Sequence, residues 1–276
     1  MNTHARCIGI EFISVFGLPP VQFVDLAANL GCRRIGISLA PTPANPHDYP
    51  RWSLRDDSGL RRDMVAAMRD RGVSISLGEG FLIRPGADVA GTAADLDVMR
   101  ELGVPLVNIL SLDPDRNRGF DQCAAFAEMA EARGLGATLE FVPGLPIGDL
   151  STTLAAIRHV GRPSFRLLID AMHVFRSGSQ VADIAAIDPN LIGYVQLCDA
   201  PLVSSHANYA DEARYERLPP GKGELPLFEL LSVLPRHLMV GLEVPMLGQA
   251  AAGVSPYDRL SGCVDAARDL LARLDA

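Results

Sequence analysis

The sequence predicts an α/β fold, a single (β/α)8 TIM barrel over residues 1–276. Three observations predict it. Short apolar runs alternate with longer amphipathic runs, which implies βα units and a parallel sheet. The short runs are almost continuously apolar, as strands covered on both faces require. Eight such pairs occur in 276 residues. That number and length suit a closed barrel better than an open doubly wound sheet.

The first strand is CIGIEFI (7–13), followed by the helix PVQFVDLAANLG (20–31), which opens on Pro and stops at Gly. RIGISLA (34–40) leads through a Pro-rich loop into SLRDDSGLRRDMVAAMRDRG (53–72), with Ser53 as cap and Gly72 as stop. VSISLGE (73–79) precedes the helix AADLDVMRELG, and LVNILSL (106–112) precedes FDQCAAFAEMAEARG. ATLEFVP (137–143) is followed by IGDLSTTLAAIRHVG, and FRLLIDA (165–171) by QVADIAAID. IGYVQLC (192–198) runs into a long loop and then PLFELLSVLP. LMVGLEV (238–244) closes the set, with YDRLSGCVDAARDLLARLDA (257–276) as the last helix. In the helical runs apolar residues recur at three and four, and Gly or Pro ends many of them.

Hydrophobic residues are 48% and charged residues 21% of the chain, an ordinary globular balance. The net charge of −8 argues against a duplex nucleic-acid binder or an anionic-membrane binder, which need basic surface. A small anionic substrate held by local Arg or Lys remains compatible. The N-terminus lacks a long apolar stretch after a basic start, so no signal peptide is expected. No run of about 18 apolar residues exists, so no transmembrane helix is expected. Five scattered cysteines without a CxxC pair read as buried thiols of a cytoplasmic protein.

In such a barrel the active site lies at the C-terminal ends of the strands. The fifth strand ends with Glu140, the sixth with Asp170 and then His173, the seventh with Gln196 and Asp199, and the eighth with Glu243. Converging carboxylates repel and raise each other's pKa unless a cation lies between them. Glu140, Asp170, Glu243 and the Gln196 carbonyl form an oxygen donor set suited to one divalent ion, Mg²⁺ or Mn²⁺ foremost. His173 either orients Asp170 or touches substrate. Asp199 is a substrate contact or a loop anchor. The loop after the seventh strand carries Arg217, a candidate for a substrate anion. Its PPGKGE segment lacks the GxxxxGK[ST] spacing of a phosphate loop. The second loop carries His47, Tyr49 and Trp52 and either covers the mouth or packs rigidly. Glu79, at the end of the third strand, is a further substrate contact, and Glu11 is placed similarly.

Taken in order, LEF with Glu140, DAMH with Asp170 and His173, VQLCDA with Gln196 and Asp199, RLPPGKGE with Arg217 and Glu224, and GLEVP with Glu243 resemble a known family. It is the xylose isomerase-like TIM-barrel superfamily, the sugar phosphate isomerase/epimerase group. The resemblance implies one divalent metal on Glu140, Asp170, Gln196 and Glu243, with Mn²⁺, Mg²⁺, Co²⁺ or Zn²⁺ as the ion, and a homodimer or homotetramer. Gln196 departs from the His that sugar epimerases usually carry there. Some relatives with Gln are dehydroshikimate dehydratases. Endonuclease IV shares the fold but uses a His-rich trinuclear zinc site, which six His in the chain do not support.

The reaction expected is isomerisation or epimerisation of a small hydroxy-ketone, a sugar, sugar phosphate or polyol-derived ketone. Glu140 and Glu243 would flank the substrate, one removing a proton and the other returning one, with His173 and Arg217 orienting it. A dehydratase of dehydroshikimate or inosose type would use the same enolate and expel a β-hydroxyl. A non-catalytic sugar-binding barrel is the third reading; two opposed carboxylates speak against it.

Overall fold

The computed structural model describes residues 7–204 and 206–275. Residues 1–6, on which the expectation about a leader partly rests, and Ala276 of the last helix lie outside the described residues. Eight parallel strands close into a barrel in sequence order. They are β1 (Ile8–Ile10), β2 (Arg34–Ser38), β3 (Ser74–Ile83), β4 (Leu106–Ser111), β5 (Gly136–Glu140), β6 (Phe165–Asp170), β7 (Ile192–Leu197) and β8 (Val240–Leu242). The seam is β8 on β1, with Ile8, Gly9 and Ile10 opposite Val240, Gly241 and Leu242.

Parallel neighbours need crossover connections, and helices supply them. The helices in chain order are α1 (Pro20–Asn29), α2 (Ser58–Arg71), α3 (Ala93–Glu101), α4 (Arg116–Glu131), α5 (Leu150–Val160), α6 (Ala171–Arg176), α7 (Val181–Ala185), α8 (Tyr209–Tyr215) and α9 (Leu227–Val233), with α10 (Leu247–Ala251) and α11 (Pro256–Asp275) following the last strand. Aspartates start several of them: Asp57, Asp115 and Asp149 each accept backbone N–H groups of the first helical turn. Helix α2 therefore begins at Ser58 rather than Ser53. The Ser53 hydroxyl instead bonds the Asp56 carboxylate at 2.7 Å and closes a separate turn. Helices α6, α8 and α10 are absent from the sequence reading; each spans five to seven residues, too short for a periodic apolar pattern.

Apolar residues form a continuous layer between the strands and the helices. A smaller cluster, Leu77, Leu106, Leu168 and Tyr194 with Met239, packs separately from it. Side chains two apart on a strand share a face. Above Leu106 comes Asn108, above Leu168 comes Asp170, and above Tyr194 comes Gln196. The same face thus changes from apolar to polar toward the C-terminal ends of the strands.

Glu11 sits just past β1 and is completely buried. A Cβ at Gly36 of β2 or Gly241 of β8 would lie 1.7 Å from one of its carboxyl oxygens. Two strand glycines clear the space that this carboxyl occupies. Strand β3 is the longest, ten residues, and runs four residues beyond its predicted end. Its register on β4 shifts between Gly78 and Phe81, and Gly80 has φ of 98°. This bulge re-aims the side chains at its end. No helix among the described residues is long and apolar enough to cross a membrane.

Gly241→Ala should lower stability by about 1–3 kcal/mol through overpacking, a fall of several degrees in Tm. In a Glu11→Ala background the same change should cost little, because the three nearest atoms all belong to Glu11. Thermal melts of the four proteins measure this; equal costs in both backgrounds would disprove the cradle.

Candidate active site at the barrel mouth

The four predicted oxygen donors converge. Glu140 ends β5, Asp170 ends β6, Gln196 lies one residue before the end of β7, and Glu243 follows β8. All four are buried, Asp170 and Gln196 fully. Asp170 and Gln196 are directly opposite in the sheet.

The cation among them is Arg217. Its Nη1 donates to Asp170 Oδ2 at 2.5 Å, its Nη2 lies 2.8 Å from Glu243 Oε2, and its Nε donates to the Ala213 carbonyl at 2.7 Å. The side chain is 2% exposed. Arg217 was expected to hold a substrate anion; here its guanidinium is committed to two protein carboxylates and a carbonyl. Burial alone would push the Asp170 carboxyl up, but Arg217 and His173 outweigh it and hold it at about 2. Glu243 behaves oppositely: burial, with Asp170 and Glu140 close by, raises it well above the usual carboxylate range despite Arg217.

Asp170 also caps α6, its Oδ1 accepting the His173 backbone N–H at 2.9 Å. That cap places the His173 ring against Glu140, with Nε2 3.2 Å from Oε1. Its Nδ1 meets the Tyr209 hydroxyl. Burial raises the Tyr209 hydroxyl, so it stays protonated and can donate to Nδ1. With Nδ1 accepting from Tyr209, the ring proton sits on Nε2, facing Glu140 Oε1. The other Glu140 oxygen accepts from Asn108 Nδ2 at 2.7 Å, and Asn108 Oδ1 accepts from Thr138 at 2.9 Å.

Gln196 Nε2 donates to Glu79 at 3.0 Å and to Glu243 Oε1 at 3.1 Å. Its Oε1 is buried with no partner among the described residues. Glu79 is partly exposed and reaches the cluster through this amide. Burial, with Glu243 and Glu11 nearby, raises its carboxyl well above the usual range. Deeper in the barrel Tyr194 donates to Glu11 at 2.7 Å and bonds Ser76 at 2.9 Å. Burial, opposed by the Tyr194 bond, lifts Glu11 to about 7.

A cation fits this donor set. An orphaned buried acceptor, Gln196 Oε1, costs free energy unless an electrophile meets it. Donor atoms of Glu140, Asp170 and His173 lie within 4.8 Å of one another. This group differs from the predicted one in taking His173 and not Glu243. With Nε2 donating to Glu140 and Nδ1 engaged by Tyr209, the imidazole has no free lone pair. Glu140 and Asp170 belong to both groups, and the remaining ligand positions fall to Gln196 and Glu243 in one and to His173 in the other.

Two predicted substrate contacts lie outside the cluster. Asp199 is a loop anchor: Oδ1 accepts from Ala200 and Leu225, and Oδ2 from Gly221. Its oxygens are spent on the loop backbone. His47 packs on Tyr49 at 5.4 Å between centroids, and its pKa is lowered by burial and by Arg259. Trp52 donates to the Gly17 carbonyl at 2.9 Å, so this loop is pinned by packing. The sequence reading missed Tyr209, Asn108 and the buried pair Arg176–Glu212, 2.7 Å apart, which clamps α8 to α6. Asn108 carried a signal, a polar residue inside the apolar run LVNILSL.

The fold and the strand-end side chains define a closed barrel with its polar centre at the mouth. The family model of the xylose isomerase-like TIM barrel matches residues 24–254, and the chain belongs to this family. A 3-dehydroshikimate dehydratase of Pseudomonas aeruginosa is 26% identical over 227 residues, 77% of this chain and 35% of that protein. The chain thus spans about a third of that relative's length. A crystal structure of the IolI protein with a zinc atom is 17% identical, with a TM-score of 0.80, covering 97% of this chain and 98% of that one. A D-psicose 3-epimerase solved with D-fructose is 14% identical, with a TM-score of 0.69 and 97% coverage of both chains. These two structures show the likeness of fold.

Glu11 sets a pH dependence with a definite sign. Its folded value is above its unfolded one, so its contribution is full below about pH 4.5 and is lost as pH rises through about 7. Over that window the chelated, metal-free protein should lose on the order of a few kcal/mol. Glu11→Gln should flatten the curve; denaturant melts across pH give the answer, and an unchanged slope refutes the assignment. Asp199→Ala should destabilise by about 1–3 kcal/mol by orphaning three N–H groups, while metal uptake by calorimetry stays as in the parent.

Proposed function

We propose that this chain is a divalent-metal-dependent enzyme that removes the proton next to the carbonyl of a small β-hydroxy ketone. The observation that carries the reading is the placement of Glu140 and Glu243. Both are buried strand-end carboxyls tethered by different partners, Glu140 by Asn108 and His173, and Glu243 by Arg217 and by the Gln196 amide whose Oε1 is orphaned. Glu140, Asp170, Gln196 and Glu243 would hold the ion. The ion would polarise the ketone oxygen and lower the barrier to forming the enolate.

The chain's own residues divide the remaining work. Arg217 keeps Asp170 ionised and fixes the two carboxyls that flank it. His173, held by Tyr209, presents its Nε2 proton toward Glu140 and toward a substrate oxygen placed there. Glu140 is the base, held in place by Asn108 on one oxygen and facing His173 with the other. Glu243, whose carboxyl is pushed above the usual carboxylate range by burial and by the nearby Asp170 and Glu140, is the acid.

A base facing an acid across the site suits loss of the β-hydroxyl as water, with the proton for the leaving oxygen passed on by Glu243. Two features favour this dehydratase outcome over return of the proton to carbon. Gln196 stands where the resemblance to sugar epimerases expects His, and the dehydratase of Pseudomonas aeruginosa is similar over most of this chain. Isomerisation or epimerisation is the second reading and shares every step up to the enolate.

The deciding measurement is proton NMR in deuterated water with metal-loaded protein and a panel of β-hydroxy ketones and ketoses. Loss of water with a new vinyl signal is the expected product. Deuterium at the α-carbon of an intact ketone indicates the second reading. Neither event with any member of the panel rejects both. Glu140→Gln should reduce either rate at least about a hundredfold, and Asp170→Asn should abolish metal retention by elemental analysis. Gln196→His should keep the metal but shift preference toward Zn²⁺ and Co²⁺.

A further inference from the structure

A cavity of about 370 Å³ opens beside the polar centre. Glu79, which reaches the donor set through Gln196, lines it, and so do Arg55 and Arg84. Phe12 and Phe81 give it apolar faces. Arg55 is spent, held by Asp95 through two bonds of 2.6 and 2.7 Å. Arg84 is different. It follows β3 directly, is exposed, and its guanidinium has no partner among the described residues.

The backbone puts it there. The bulge at Gly78–Phe81 and the extra length of β3 carry Arg84 past the strand ends, on the face where barrel active sites form. The cavity therefore has a polar wall shared with the centre, apolar sides, and one uncommitted cation.

We propose that this cavity is the subsite for an anionic arm of the substrate, and that Arg84 binds a carboxylate there. This deepens the proposed function and rests on it only for the identity of the reacting ketone. One guanidinium fork matches one carboxylate in bidentate geometry. A phosphate dianion would call for more donors than this cavity offers. Arg217 cannot serve, being occupied by Asp170 and Glu243.

The test is calorimetric titration of the metal-loaded protein with three probes: 3-dehydroshikimate as the carboxylated ketone, D-fructose as the neutral one, and D-fructose 6-phosphate. The carboxylated ketone should bind at least about tenfold tighter than D-fructose. Arg84→Ala should weaken it about ten- to hundredfold, the effect of one charge-assisted pair. Arg84→Lys should recover part of the loss, D-fructose binding should not change, and the Tm should match the parent's. The subsite is overturned if the parent fails to bind the carboxylated ketone, if Arg84→Ala binds it like the parent, or if the phosphorylated ketose binds tighter through Arg84. Arg84-dependent binding without water loss or α-deuteration sinks the proposed function and leaves the subsite. Enolisation of a neutral ketose that ignores Arg84→Ala does the reverse.

Discussion

Carboxyl groups at the mouth outnumber the cations that face them, and this imbalance governs the rest of the structure. Glu11, Glu79, Glu140, Asp170 and Glu243 lie close enough to act on one another, and among them Asp170 and Glu243 meet a guanidinium, that of Arg217. Removing so many acids from water unpaired would cost far more than a domain's net stability. The chain answers in three ways. Arg217 bridges Asp170 and Glu243. Neutral donors, Asn108, Gln196 and Tyr194, solvate Glu140, Glu79 and Glu11. Burial raises the carboxyls of Glu11, Glu79 and Glu243 above the usual range, Glu11 to about 7. A divalent ion on the orphaned Gln196 oxygen and the neighbouring carboxylates would complete the balance.

The same need orders the long connection between β7 and β8. A loop of this length is costly to fix unless its side chains gain something. Here it contributes Arg217 to the acids and Tyr209 to His173. It is tied down by Arg176–Glu212, by the Asp199 anchor and by bridges of Asp199 to Leu218 and of Glu216 to Met246. The loop and the strand ends therefore stand or fall together. Removing Arg217 would leave two buried acids facing each other, and the loop would lose its main reason to close.

The barrel was legible because its strands are apolar on both faces, and its polar centre because acids interrupt those runs. Each donor residue could be found from its own strand. Their pairing could not: Arg217 meets a residue 47 positions away, and His173 meets Tyr209 at 36. Such contacts follow from barrel closure, not from local pattern. Asp199 shows what a finer reading would have caught. It stands three residues after Gln196, an odd step, so strand alternation turns it away from Gln196's face and toward the loop. Glu11 was noticed but its depth was not. The glycines that admit it, Gly36 and Gly241, lie on other strands and look individually like ordinary strand glycines.

Chemistry and selection are drawn from different parts of the barrel. The donors and Arg217 come from β5 to β8 and the connection before β8, all buried and locked by reciprocal bonds. The cavity is lined from the region of β1 to β3 and their loops, with Asp95 of α3. Glu79 is the hinge between the two, with its carboxyl bonded to Gln196 and its flank on the cavity. Rigid strand ends can keep reacting groups in register to a fraction of an ångström, while loops change shape at little cost to the core. A fold divided this way can keep one way of activating a ketone and change what the ketone is attached to. The long, bulged β3 is the place where this chain makes that choice, because it alone supplies both Glu79 to the centre and Arg84 to the cavity.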